Sequence, residues 1–284
     1  MAVDPSTMPA QAPARLAESG RLADVVAPDS PARAELADAA RRYARPLQIH
    51  VSGRVGSGRA TCVRALGERL SVAASSDRDD RDADLWLHVL TGPPRGADTD
   101  MLARLPADRT IVVLNKADTH RDRFVAAEVA GRCAEQIDRT VIPVSALLAC
   151  TAVTDAELGF LRGLARAGEM MPAMAGAFLT AGPDDERSLR AAVLRRIDRA
   201  GIEVALDLLA ADPDDAVDAA MLDRELWQRS GIDDVITPIR ERVGVVRRWR
   251  LAELRTRLEI IAARGHDRDA VEPLLRQLAE SEAA

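Results

Sequence analysis

The pattern of hydrophobic and polar positions changes period near residue 150. Before that point short apolar runs alternate with amphipathic stretches. Residues 47–52, 85–90, 110–114 and 140–144 read as buried strands, and residues 31–44, 58–70, 98–105 and 121–137 as helices. Strand–helix alternation predicts a parallel sheet with right-handed crossovers. From residue 154 onward the apolar positions follow a helical spacing, as in Leu158, Leu161 and Leu164 and again in Leu189, Val193, Ile197 and Ile202. Pro172, Gly182-Pro183 and Pro213 punctuate this tract, and residues 236–264 read as a long helix with a break near Gly244. The expected fold class is α/β: a mostly parallel sheet flanked by helices, followed by an all-helical extension. The expected division is a tail over 1–30, rich in Pro, Ala and small polar residues and disordered, a sheet domain over 31–150 and a helical domain over 151–284.

Composition narrows the picture. A chain of 284 residues accommodates this plan, and with aromatics at 2% the core must be built from Leu, Val, Ile and Ala. A net charge of −6 gives no electrostatic case for nucleic acid. Cys62, Cys133 and Cys150 form neither a metal-type cluster nor an even disulfide framework. That pattern, with no charged-then-apolar leader and no membrane-length apolar run, leads to the expectation of a cytoplasmic protein. His88 within a strand reads as a core or strand-end residue and not as a ligand. No Ser-His-Asp or paired-carboxylate arrangement is visible, so neither catalytic residues nor metal ligands are assigned.

Three segments carry candidate chemistry, each at the end of an expected strand. Asn115-Lys116-Ala117-Asp118 follows the run 110–114, where α/β sheets bind ligands. A carboxylate at Asp118 can accept from the ring N–H and the exocyclic amine of guanine. Asn115 can bridge the base edge to neighbouring loops, and the Lys116 stem can lie along the ring. Gly53-Arg54-Val55-Gly56-Ser57-Gly58-Arg59-Ala60-Thr61 stands between a strand and a helix with the spacing of a phosphate-binding loop. Pro143-Val144-Ser145-Ala146-Leu147 follows the last strand, and the small Ala146 lets its N–H reach the guanine carbonyl.

Taken together, these motifs resemble the translation-factor-like class of P-loop GTPases, and within it the bacterial dynamin-like branch of the isoniazid-inducible type. The loop from Gly53 to Thr61 is similar to that branch's Gly-Arg-Val-x-x-Gly-Lys-Ser-Thr. Residues 189–243, with Arg199-Ala200-Gly201-Ile202 and Ser230-Gly231-Ile232-Asp233, resemble its helical region. The resemblance covers roughly residues 46–264 and implies a truncated P-loop GTPase-like sheet. It implies that Gly53, Gly56, Ser57, Gly58, Arg59, Ala60 and Thr61 hold phosphate. Asn115, Lys116, Asp118, Ser145 and Ala146 would read the base.

The departures limit what the resemblance carries. Arg59 replaces the loop lysine, a planar fork in place of a compact charge. Ala60 replaces the Mg²⁺-binding hydroxyl. No Asp-x-x-Gly element lies between the loop helix and strand 85–90, and Asp77-Arg78-Asp79-Asp80-Arg81-Asp82 reads as a solvated loop. Phosphoryl transfer depends on positioning and on neutralisation by Mg²⁺ and a cation. The expectation is therefore a pseudo-GTPase that binds GDP or GTP weakly, with little use of Mg²⁺. Its partners would be the guanine nucleotide and a protein such as a related active GTPase. Two alternatives stand: a slow GTPase completed in a heteromeric complex, and a nucleotide-free interaction scaffold. The Met-rich stretch 170–179 reads as a buried helix joint, and the arginine-rich stretch 240–257 as a solvated face. Peripheral membrane contact draws no support from either.

Overall fold

The computed structural model of the chain describes residues 13–77, 82–120 and 122–283. The acidic run at 77–82 lies mostly outside them. The chain forms two compact units, one comprising residues up to Pro46 and from Val243 onward, the other Leu47–Arg242.

The larger unit is the α/β part. Its strands are β1 (Gln48–Gly53), β2 (Ala73–Ser75), β3 (Leu85–Leu90), β4 (Thr110–Asn115) and β5 (Val141–Val144). They form one sheet in the order β2-β1-β3-β4-β5, and every pairing is parallel. All six residues of β3 and of β4 are buried, as expected for central parallel strands covered on both faces. Burying an aliphatic side chain of this kind stabilises by about 1.5–3 kcal/mol. The three-residue β2 is absent from the sequence reading because Ala-Ala-Ser carries no β-branched or aromatic signal.

Helices α3 (Arg59–Leu70), α4 (Gly96–Arg104) and α5 (Arg123–Ile137) connect the strands. After β5 come α6 (Ala146–Ala149), α7 (Asp155–Arg166), α8 (Ala175–Thr180), α9 (Arg187–Ala210) and α10 (Ala219–Arg229). The spacing foreseen in the sequence becomes a common core of Leu158, Leu161, Leu164, Val193, Ile197 and Ile202, with Leu189 half-buried outside it. Thr154 and Glu157 cap α7 reciprocally, which fixes where that helix starts. The Met-rich stretch is split: Met171 and Phe178 are buried, whereas Met170 and Met174 are exposed.

The smaller unit joins the two ends of the chain. It holds α1 (Pro13–Glu18), α2 (Ala32–Ala44), α12 (Arg268–Ala283) and the part of α11 (Ile236–Ala263) beyond Val243. Leu16, Leu22 and Leu36 share a core with Leu254, Leu258 and Val271. The expected disorder of 1–30 is thus corrected for residues 13–30, because their apolar side chains find partners more than 200 positions away. Residues 1–12 lie outside the described part. The boundary expected at 150 is likewise displaced, since the helices over 155–229 belong with the sheet. The arginine-rich stretch is more than a solvated face. Arg250 donates to the carbonyls of Tyr43, Arg45 and Pro46 at 3.1, 2.6 and 3.1 Å. α11 runs on through Gly244 without the expected break. Among the described residues no helix is long and apolar enough to cross a membrane.

Candidate functional site

The three motifs meet at the carboxyl edge of the sheet. From β1 the chain goes to β2 on one side and then to β3 on the other, so the loop after β1 sits at the topological switch point. Gly53 ends β1 with φ 142°, and a Cβ there would stand 2.7 Å from the Val89 carbonyl of β3. The loop then turns tightly, Ser57 N–H donating to Arg54 O at 3.1 Å. Gly58, at φ 90°, starts α3 without any side-chain cap, and a Cβ on it would run into the Asn115 amide nitrogen. The first intrahelical bond is Cys62 N–H to Gly58 O, 2.9 Å. The N–H groups of Arg59, Ala60 and Thr61 are therefore directed out of the helix start, at its positive end.

Asn115 joins the loops. Its Nδ2 donates to Ser57 O at 2.9 Å, and its Oδ1 accepts from Ala146 N–H at 3.0 Å. Asp118, in the short turn Ala117–Thr119 after β4, accepts a hydrogen bond from the Ser145 hydroxyl. Ser145 N–H donates to Ser230 O at 2.7 Å, and Gly231 packs so closely that a Cβ would lie 2.7 Å from Pro143 O. One expected detail is corrected. Ala146 N–H is engaged by Asn115 and is not held ready for a base carbonyl.

The charges around this edge are unequal. Arg59 and Lys116 make no ion pair among the described residues, and Lys116 is exposed, in a left-handed conformation with φ 64°. Lys116 is also the one lysine among 39 basic side chains, the rest being arginine. That contrast changes the meaning of Arg59. A chain that uses arginine everywhere else places no special weight on arginine at 59, whereas lysine at 116 stands out. Composition carried this signal, and motif matching alone missed it.

Sequence reasoning also missed a buried polar group beneath the loop. Asp98, in the first turn of α4, is 0% exposed and accepts from Arg95 N–H at 2.9 Å. Arg54 Nε lies 3.1 Å from the same oxygen, Oδ2, and 3.3 Å from Oδ1, so the loop arginine is drawn toward α4. His88 of β3 is 1% exposed, with Nδ1 3.0 Å from Ser52 Oγ and Nε2 3.4 Å from Asp98 Oδ1. The Nε2 contact is close without being aligned as a hydrogen bond. Ser, His and Asp thus stand in line, but with Asp on Nε2 and Ser on Nδ1, the ring turned round relative to a hydrolytic triad. Their burial leaves no path for a substrate, and we assign the group to holding the loop. Burial pushes the His88 pKa below its ordinary value, and Asp98 only partly opposes that shift. In sequence Asp98 reads only as an acidic residue in a helix's first turn; its link to Arg54 is tertiary.

Ser57 Oγ is buried beside the loop with no hydrogen-bond partner among the described residues. Thr61 is half-buried in the first turn of α3, and Ala60 is exposed. Among the described residues no group of three or more His, Cys, Asp or Glu side chains is placed to hold a metal ion. The edge therefore offers backbone donors and two unpaired cations for an anion, and beside them a carboxylate oriented by a hydroxyl. No protein-family model matches this chain, and no curated protein matches its sequence.

Proposed function

We propose that this chain is a degenerate guanine-nucleotide-binding protein, a pseudo-GTPase of the dynamin-like class that serves as a regulatory or structural partner of an active GTPase. The observation that carries the reading is the pair of hydrogen bonds made by the Asn115 side chain. One side chain ties the glycine-rich loop to the segment after β5, while Ser145 orients Asp118 between them. A carboxylate held by one hydroxyl keeps lone pairs for the two neighbouring donors of guanine, an edge that adenine lacks. The Lys116 stem would lie along the ring, and the N–H groups of residues 59–61 would face the phosphates.

The same geometry favours weak binding without turnover. Ala60 offers no ligand atom to a metal, Arg54 is drawn to Asp98, and Arg59 is longer and broader than the lysine it replaces. Affinity for GDP or GTP is expected in the micromolar range or weaker, with little dependence on Mg²⁺.

Calorimetric titration of the nucleotide-stripped full chain with GDP, GTP and ATP, with and without Mg²⁺, tests this. Guanine-selective heat that vanishes in Asp118→Ala supports it. Equal response to ATP and GTP, or no heat at all, overturns it and leaves the scaffold reading. Turnover that appears only on adding a partner protein, and is lost in Arg59→Ala, would instead favour the heteromeric GTPase.

A further inference from the structure

Three guanidinium groups line one cavity away from the loop edge. The cavity, about 310 Å³, is formed by Arg64 of α3, Leu147 of α6, the following Cys150, and Ala192, Arg195 and Arg196 of α9. Among the described residues no carboxylate lines it. Arg196 is matched by Glu157 at 2.8 Å, and Arg64 only loosely by Glu68, at 3.9 Å. Arg195 has no ion-pair partner among the described residues. In a chain of net charge −6, gathering three cations from two helices around one cavity leaves a local positive excess.

The remaining lining decides the kind of anion. Leu147 and Ala192 supply an apolar floor beside the guanidinium forks, and planar guanidinium groups match phosphate oxygens in pairs. The Cys150 thiol points to Thr61 O, 3.7 Å away. Burial raises its pKa, although Arg64 opposes this. The thiol thus stays neutral and does not cancel the positive charge.

We propose that this cavity is a phosphate-binding site, distinct from the glycine-rich loop, that takes the phosphate group of a small organic phosphate. Arg64 and Arg195 contact the oxygens, Arg196 is held in place by Glu157, and Leu147 with Ala192 packs against the ester carbon skeleton. The site does not depend on nucleotide binding at the loop. Arg64 lies one helical turn beyond Thr61, and Leu147 directly follows Ala146.

The test is calorimetric titration of the full chain with inorganic phosphate and with glycerol 3-phosphate, at constant ionic strength set by chloride. Wild type, Arg64→Ala, Arg195→Ala and Arg59→Ala are compared. Saturable binding that weakens at least tenfold in Arg64→Ala and in Arg195→Ala, and that persists in Arg59→Ala, is the expected result. Tighter binding of the ester identifies an organic phosphate, and equal binding identifies the free anion as the ligand. Absence of binding in wild type, or binding that is lost only with Arg59, overturns the proposal. Both cavity arginines are solvent-facing, so the variants should fold. Arg195→Glu, which should abolish binding while preserving the circular dichroism spectrum, provides a second check. Because Asp118→Ala leaves this cavity intact, failure here is separable from failure of guanine binding.

Discussion

Asn115 holds Ser57: its side-chain amide donates to the Ser57 carbonyl at 2.9 Å, across 58 positions of sequence. Its other atom serves Ala146. Asn115→Ala removes both bonds and leaves a buried carbonyl and a buried N–H without partners, a loss of about 2–3 kcal/mol. Urea denaturation checks this. A cost near zero would mean that the two loops are held by something else.

Gly58 and Asn115 are packed against each other. Gly58→Ala meets both a left-handed backbone and the Asn115 amide, and should destabilise by about 1–3 kcal/mol. Because part of that cost is the collision, the Gly58→Ala/Asn115→Ala pair should be less destabilised than the sum of the singles. Strict additivity in a double-mutant cycle would contradict the contact.

Asp98 is fully buried between Arg54, His88 and the Arg95 N–H. Asp98→Ala leaves Arg54 and the Arg95 N–H without their acceptor. Arg54 is partly exposed and can recover water, which places the expected loss at about 3 kcal/mol, the low end for breaking a buried pair. Faster amide exchange across residues 53–58 should accompany it, measured by hydrogen–deuterium exchange. Unchanged exchange there would remove Asp98 from the support of the loop.

His88 gives a pH dependence of known sign. Its folded pKa is lowered by burial, so the unfolded chain takes up the proton first. The resulting stability is present above the unfolded value of about 6.5 and is lost as pH falls from there through the lower folded pKa. His88→Gln should flatten this part of the stability profile. Arg54→Ala removes a cation that opposes protonation and should reduce the slope. A wild-type profile that is flat in this window would refute the assignment.

Lys116 offers a direct chemical probe as the single lysine of the chain. An amine-reactive acylating reagent should modify it readily, since it is exposed. GDP at about ten times its Kd should slow that modification by about tenfold, and ATP at the same concentration should not. Peptide mass spectrometry reads the outcome. Equal rates with and without GDP would separate Lys116 from any base site.

Local pattern alone determined much of this protein. The apolar runs over 85–90, broken only by His88, and over 110–114 read as buried strands, because hydrophobicity sustained at strand length leaves no solvent-facing side. The spacing Gly53 to Gly58 set a turn between strand and helix, and Asn115 to Asp118 set a polar step after a buried strand; both lie within a few residues and need no partner to be recognised. Tertiary structure decided what depends on distant residues. Asp98 became the anchor of Arg54 only when α4 was laid beside β1 and β3, and Ala146 N–H turned to Asn115 only once β4 and β5 were paired. Leu16 and Leu22, in a stretch whose composition reads as disordered, were ordered by Leu254, Leu258 and Val271. Composition records how much apolar surface a segment carries, whereas its order depends on whether that surface meets another.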